Sequence, residues 1–155
     1  MQGADFYKYL DKFPTFKKHF KGIYSIDTLP KTLNYRNFLI ANTDLQKGFG
    51  IHWIGFCRSS KNNIELFDSL SLTSEKQELI VKYCKFKQEI LFNETEFQLK
   101  DTTTCGLFVI YYCIERIFNL DLNYDTFLEL CFDENCQENE KTVKKFCADI
   151  LLDKF

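Results

Sequence analysis

The sequence predicts an α+β fold in which a small, mainly antiparallel sheet packs on a central buried helix. Two runs of alternating polarity, 50–59 and 64–70, flank a short polar segment, which is typical of an antiparallel hairpin. A later segment, 100–118, begins with polar residues and then becomes apolar on every face, as expected for a helix in the middle of a protein. The predicted order is helix, strands, helix, strand, buried helix, helices.

The N-terminal half supplies the first helical turns and most of the sheet. Residues 4–20 are rich in Phe and Tyr and are predicted to form a helix or two short helical turns. The run NFLIANT (37–43) is apolar and bounded by turn residues, which indicates a buried strand. In the first strand of the hairpin the alternation places His52 and Trp53 on opposite faces.

The C-terminal half is predicted to be mainly helical. SEKQELIVKYC (74–84) has apolar residues on one side and charges on the other, as in a surface helix. QEILFNETEFQL (88–99) resembles a further strand. After the buried helix, the tail contains YDTFLELCF (124–132) and the amphipathic segment EKTVKKFCADILL (140–152), predicted to form a last helix.

Length and composition indicate one folded domain over residues 1–155. Hydrophobic residues make up 45% of the 155 positions and aromatic residues 17%, which excludes a disordered chain. The formal net charge of −2 offers no general basic field, so nucleic acid is not an expected partner. We expect a monomer.

The chain carries no export or membrane signal that we recognise. Its first residues are charged throughout, and the longest apolar run (105–114) is far shorter than the ~20 residues of a membrane span. The protein is therefore expected to be soluble, not secreted, and without membrane contact. Its seven cysteines should then be reduced thiols.

Metal binding is the other use of cysteines that we considered. Cys131, Cys136 and Cys147 could suggest zinc, but their spacing matches no common zinc motif and one ligand would be missing. Packing is the favoured explanation for these cysteines. We expect no metal and no cofactor.

The hairpin brings a histidine and a carboxylate close together. Folding the chain about the turn at 59–63 sets His52 almost opposite Asp68, within a residue or two. Cross-strand neighbours have Cβ atoms about 4.5–5.5 Å apart, so an imidazole and a carboxylate could meet there. The other histidine, His19, lies in a lysine-rich segment and is the weaker candidate for a base.

Cys105 lies where a helix begins. Thr102, Thr103 and Thr104 before it are natural N-cap residues, and Gly106 after it lets other groups approach the sulfur. Unpaired N–H groups and the helix dipole favour an anion in the first turn, which lowers a thiol pKa.

Four residues could together form a cysteine-hydrolase site. Cys105 would be the nucleophile, His52 its base and Asp68 the group that orients the imidazole. The backbone N–H of Cys105 and the side-chain amide of Gln98, seven residues upstream, could stabilise an oxyanion. Each signal alone also fits a structural residue, whereas four matched roles in this order are harder to explain by packing.

These pieces resemble the adenovirus-type cysteine peptidases (adenain), within the clan that includes the SUMO and Nedd8 proteases. The matching motifs are ANT (41–43), GIHW (50–53), LFDSL (66–70), and Gln98 seven residues before CGLF (105–108). The resemblance implies a papain-like fold with the cysteine helix packed across the sheet, and it implies the same four roles. Asp68 takes the place of an acidic residue that is Glu in adenain and Asp in many relatives.

The resemblance also implies a substrate and a setting. Trp53 and Gly106 would wall a narrow groove for a protein substrate with small residues, notably Gly, at the scissile bond. The substrate would be a capsid or core precursor of a virus, virophage or Polinton-type element. The enzyme would then act in the host cytoplasm or nucleus, or inside the virion.

Adenain is stimulated by DNA and by a short viral peptide, and neither property follows directly for this chain. Stimulation by DNA is not carried over, because this chain is slightly acidic. An activating peptide attached through a disulfide would need a partner thiol, for which Cys84 could be sought. The spacing differs from that of adenain, and packing of Cys84 against the core is favoured.

Other functions remain open at this point. An isopeptidase that removes SUMO, Nedd8 or ubiquitin would use the same residues. An acetyltransferase built on the same residues is a minor third alternative. An inactive binding module that keeps the fold is the alternative from another functional class.

Overall fold

The computed structural model describes residues 1–44 and 52–155. It confirms the α+β class, with one sheet and a buried helix packed on it. The strands in the described ranges are β1 (Phe20–Ser25), β2 (Phe38–Asn42), β3 (Trp53–Cys57), β4 (Asn63–Phe67) and β5 (Glu89–Phe92). The helices there are α1 (Phe6–Leu10), α2 (Pro14–Lys17), α3 (Ser74–Tyr83), α4 (Cys105–Phe118), α5 (Tyr124–Cys131) and α6 (Cys136–Leu151).

The sheet is mixed and its strands follow chain order, β1-β2-β3-β4-β5. The two central pairings, β2 with β3 and β3 with β4, are antiparallel. The outer pairings, β1 with β2 and β4 with β5, are parallel, because the chain crosses over between these strands. The first two residues of the predicted 50–59 strand lie outside the described residues.

Helix α4 lies on one face of the sheet and is the centre of the larger core. Phe108, Val109 and Tyr112 are buried in that core together with side chains of α1, α2, α5 and α6. Gly55 of β3 lets the helix come close, since a Cβ there would lie 3.1 Å from two ring carbons of Tyr112. The opposite face of the sheet packs on α3 through Ile80.

The predicted strand 88–99 is shorter in the structure and ends at Phe92. Asn93 provides the reason. Its side-chain oxygen accepts a hydrogen bond from the backbone N–H of Asp68 at 2.8 Å, and its amide donates to the Asp68 carbonyl at 2.7 Å. A side chain thus replaces the next pair of strand hydrogen bonds, and the backbone turns away.

A buried ion pair connects β4 to α4. Arg116 donates to Glu65 through Nε at 3.0 Å and through a terminal nitrogen at 2.5 Å, and the Tyr112 hydroxyl donates to the same carboxylate at 3.1 Å. Both charged side chains are 1% exposed. The pair therefore holds the strand that leads to Asp68 against the helix that begins at Cys105.

Arg116→Met is expected to destabilise the protein by about 3–5 kcal/mol, because it leaves the Glu65 carboxylate buried without its partner. Urea unfolding of the variant measures the loss. Lys145→Met, which breaks the exposed pair with Asp149, should cost only about 0.3–0.5 kcal/mol. The double variant Glu65→Leu/Arg116→Met should recover most of the loss, and equal costs for the two single variants would contradict the role of the buried pair.

No helix in residues 1–44 or 52–155 is long and apolar enough to cross a membrane.

Candidate active site

His52 and Asp68 meet at one end of the central hairpin. His52 directly precedes β3 and Asp68 directly follows β4. The register pairs Gly55 with Phe67, so the two residues are diagonal neighbours just beyond the paired strands. His52 Nε2 lies 2.7 Å from Asp68 Oδ1, and their side chains are only 14% and 2% exposed.

Asp68 is held in position by its surroundings. The same Oδ1 accepts a hydrogen bond from the backbone N–H of Leu70 at 2.8 Å. The Asn93 side chain hydrogen-bonds to both the backbone N–H and the backbone carbonyl of Asp68. No sequence pattern predicts this role of Asn93, because a single asparagine after a strand is common in turns.

Cys105 is the first residue of α4, as predicted, but the threonines act differently from expectation. Thr104 is the N-cap residue and makes no side-chain capping hydrogen bond. Its hydroxyl instead donates to Glu140 of α6 at 2.8 Å. The first N–H groups of the helix therefore receive no side-chain cap from Thr104, and the Gly106 backbone is among the groups that lower the pKa of Cys105.

Cys105 and His52 border the same groove, and each is among the groups that shift the pKa of the other. Because Nε2 of the imidazole faces Asp68, Nδ1 is the nitrogen that remains for the sulfur. In the neutral ring, Nε2–H would donate to the carboxylate and Nδ1 would accept the thiol proton. The histidine thus bridges the carboxylate and the thiol.

The electrostatics favour a charged pair. Burial of His52 lowers its pKa, but hydrogen bonds and charges from Asp68 and Cys105 outweigh burial and raise the pKa to about 9. Burial raises the pKa of Cys105, yet the hydrogen bond from His52, the N–H groups of Trp53 and Gly106, and the imidazolium charge bring it below its ordinary value. Both shifts favour a thiolate beside an imidazolium over the neutral pair.

The environment of Cys105 differs from that of most other thiols. All seven cysteines are free thiols. Burial raises the pKa of five of the others: Cys57, Cys84, Cys113, Cys131 and Cys147. For Cys84 the pKa rises to about 12, so its thiolate is strongly disfavoured.

Gln98 borders the groove with Cys105, His52 and Asp68, but its side-chain amide already makes hydrogen bonds within the protein. The side chain is 1% exposed and borders the same groove as Cys105. Its oxygen accepts from the Ser69 hydroxyl at 2.6 Å, and its nitrogen donates toward the carbonyl and hydroxyl oxygens of Thr102, each at 3.0 Å. Sequence reasoning missed Ser69, although it directly follows Asp68 in LFDSL.

A groove of about 710 Å³ runs past Cys105, His52 and Gln98. The Trp53 ring packs edge-on against Phe6 at 4.9 Å, and its Nε1 donates to the Met1 carbonyl at 3.1 Å. Met1 borders the groove and covers Gly106, where a Cβ would lie 2.6 Å from the Met1 sulfur. Trp53 borders the groove, whereas Gly106 is buried beneath Met1, and a substrate-binding role for either residue stays a prediction.

In the two described ranges, no group of three or more His, Cys, Asp or Glu side chains is arranged to hold a metal ion. Two of the cysteines considered for zinc contact backbone carbonyl oxygens instead. Cys136 lies 3.6 Å from that of Glu96, and Cys147 lies 3.7 Å from that of Leu107.

Comparison with known proteins gives little at the level of sequence. No family model and no curated protein matches the chain. Among solved structures, the ASFV pS273R protease is similar over 69% of this chain and 43% of that chain, with a TM-score of 0.41 and 20% identity. The match therefore spans less than half of that protein, and assignment of activity depends on the site itself.

Proposed function

We propose that the protein is a cysteine endopeptidase that cleaves peptide bonds through a thioester intermediate. One observation carries the proposal: His52 is hydrogen-bonded to the buried Asp68 and shares an open groove with Cys105, the first residue of a helix, whose pKa it lowers. A structural histidine and cysteine do not require this order of donors and acceptors, whereas nucleophilic catalysis does.

In the acylation step, the Cys105 thiolate attacks the carbonyl carbon of the scissile bond. A carbon–sulfur bond forms, and the π electrons of the carbonyl move onto its oxygen. When the tetrahedral intermediate collapses, the carbon–nitrogen bond breaks and the His52 imidazolium gives its proton to the leaving amine. The raised pKa of His52, about 9, keeps that proton available at neutral pH.

The oxyanion would be stabilised by the backbone N–H of Cys105 and by the Gln98 amide. Both acceptors of this amide belong to Thr102. One N–H of Gln98 can serve both Thr102 oxygens in a three-centre hydrogen bond. The second N–H of the amide would then be left for the substrate oxygen.

In the deacylation step, neutral His52 accepts a proton from water as the water oxygen attacks the thioester carbon. The carbon–sulfur bond then breaks, which releases the carboxyl product and restores the thiolate. Asp68 holds the ring orientation through Nε2 in both steps and stabilises the imidazolium.

For the substrate, we propose a protein with Gly or another small residue beside the scissile bond. This choice is supported by Met1 and Trp53, which border the groove beside Cys105, and by the packing of Met1 over Gly106. Precursors of virus-like capsids or cores remain the proposed natural substrates, on the motif resemblance alone.

Iodoacetamide at neutral pH tests the proposal directly. Cys105 should be alkylated first, because its pKa is lowered while burial raises that of five other thiols. Hydrolysis of Gly-Gly peptides should be lost in proportion to the alkylation. Peptide mapping by mass spectrometry identifies the modified residue, and slow alkylation of Cys105 with no peptide turnover would favour an inactive binding module.

A ubiquitin-like probe with a reactive C-terminus separates the peptidase from the isopeptidase. The isopeptidase would use the same Cys105 and His52, so peptide hydrolysis alone does not distinguish them. Rapid labelling of Cys105 by the probe, together with poor turnover of short peptides, would replace the endopeptidase proposal by the isopeptidase.

A further inference from the structure

The loop at 99–104, which leads into Cys105, is held by a carboxylate from the last helix. Glu140 Oε1 accepts hydrogen bonds from the Thr104 hydroxyl at 2.8 Å and from the Thr102 hydroxyl at 3.0 Å. It also accepts from the backbone N–H of Leu99 at 3.3 Å. One oxygen of a distant helix therefore contacts the loop at both of its ends.

Glu140 occupies a position where packing alone would favour an apolar residue. It lies on the buried side of α6, on the same face as Val143 and Cys147, and it is only 4% exposed. Lys144 is its ion-pair partner at 3.4 Å. Burial of a carboxyl group costs free energy unless hydrogen bonds compensate it. The loop supplies them to Oε1, whereas the buried Oε2 accepts no hydrogen bond from the described residues and faces Lys144.

The carboxylate also sets the direction of the neighbouring hydrogen bonds. A carboxylate only accepts, so the hydroxyl proton of Thr104 must point toward Glu140. The Thr102 hydroxyl has Glu140 and the Leu99 carbonyl as acceptors, so its proton points away from Gln98. Its lone pairs then accept from the Gln98 amide at 3.0 Å.

The other end of the Gln98 amide is held by Ser69. The fully buried Ser69 hydroxyl donates to the amide oxygen at 2.6 Å, and the Thr102 carbonyl, which can only accept, requires the nitrogen at the other end. The backbone N–H of Gln98 donates to the Ser69 carbonyl at 3.0 Å. The amide is thus held at its oxygen by Ser69, two residues after the end of β4, and at its nitrogen by the loop that Glu140 contacts.

We propose that Glu140 is a positioning residue for oxyanion stabilisation. It holds the 99–104 loop so that the Gln98 amide and the Cys105 N–H can donate to the same substrate oxygen. This inference depends on the proposed peptidase function. Glu140 does not border the groove and touches no reacting atom, so it acts through the threonines.

Glu140→Gln is the test, because the amide keeps the size of the side chain but loses its charge, and its one oxygen is a weaker acceptor than a carboxylate oxygen. We expect kcat on a Gly-Gly peptide to fall about tenfold to a hundredfold, less than loss of a whole oxyanion donor. KM and the rate of alkylation of Cys105 by iodoacetamide should stay within about twofold, since alkylation develops no oxyanion. Affinity for a peptide aldehyde, which forms a tetrahedral adduct with the thiol, should fall with kcat.

Glu138→Gln is the matched control, since Glu138 lies on the same helix, is half exposed and pairs with the exposed Lys141. Thr104→Val should reproduce part of the Glu140→Gln effect, whereas Thr104→Ser should retain activity. Unchanged kcat in Glu140→Gln would overturn the inference, and so would a parallel fall of kcat, alkylation rate and thermal stability, which indicates general damage.

Deuterium uptake by the loop separates this inference from the proposed function. Uptake at 99–104 should be faster in Glu140→Gln than in the wild type, and this can be measured in an inactive protein. Faster uptake in a protein that cleaves no peptide would refute the peptidase and, with it, the catalytic part of the inference. Equal uptake in an active enzyme would refute the inference alone.

Discussion

Replacement of Cys105 by alanine is expected to lower hydrolysis of Gly-Gly peptides by about 10⁴-fold or more, the size of effect seen when a nucleophile is removed from a triad. The sulfur forms the bond to the substrate carbonyl, and no other thiol in the described ranges borders the groove. Initial rates at saturating peptide measure the loss. The fold should survive, because the Cys105 side chain is only partly buried.

Two further variants make the Cys105 result specific. Cys136→Ser changes a thiol that lies 3.6 Å from the Glu96 carbonyl, away from the groove, and should leave turnover unchanged. Cys105→Ser keeps a nucleophile of similar shape but with a far higher pKa, and should remain nearly inactive. Wild-type rates in Cys105→Ala would refute the proposed chemistry.

Replacement of His52 by alanine is expected to cost about 10³–10⁴-fold in kcat, through loss of the base and of the acid that protonates the leaving amine. It should also change the thiol. His52 contributes a hydrogen bond and a positive charge that lower the Cys105 pKa, so without His52 that pKa should rise. The pH dependence of iodoacetamide alkylation measures this directly, with the inflection moving to higher pH.

Asp68→Asn should act on the same residue in a different way. The carboxylate raises the His52 pKa, so its loss should lower that pKa from about 9. The alkaline limb of the kcat/KM profile, where the imidazolium loses its proton, should therefore move to lower pH. His19→Ala is the control, since it removes the other histidine, which does not border the groove. An alkaline limb that stays in place in Asp68→Asn would contradict the assigned role.

Local patterns were sufficient for the parts of the fold that depend on neighbours in sequence. The hairpin that joins His52 to Asp68 follows from alternation and one short turn, and the register in the structure agrees within two residues. The start of α4 at Cys105 follows from a change from polar to apolar residues. The catalytic roles assigned to these residues stay predictions until the variants are measured.

Other features depend on contacts between distant segments and have no local signature. The parallel outer pairings of β1 and β5 depend on where the chain crosses over, which alternation does not encode. The end of β5 at Phe92 depends on Asn93 reaching the Asp68 backbone. Threonine is a common N-cap residue, yet the hydroxyls of Thr102 and Thr104 donate hydrogen bonds to Glu140 of α6 and do not cap α4.

By itself, the sequence determined the α+β class and the order in which a base, an acid and a thiol occur along the chain, because these depend on periodicity and on residue type. Only the tertiary structure decided that Glu140 and Ser69 hold the loop and the amide beside the thiol. The physical reason is that hydrogen bonds between segments about thirty to forty residues apart are selected by packing of the whole core. Neither the periodicity nor the composition of a short segment records them.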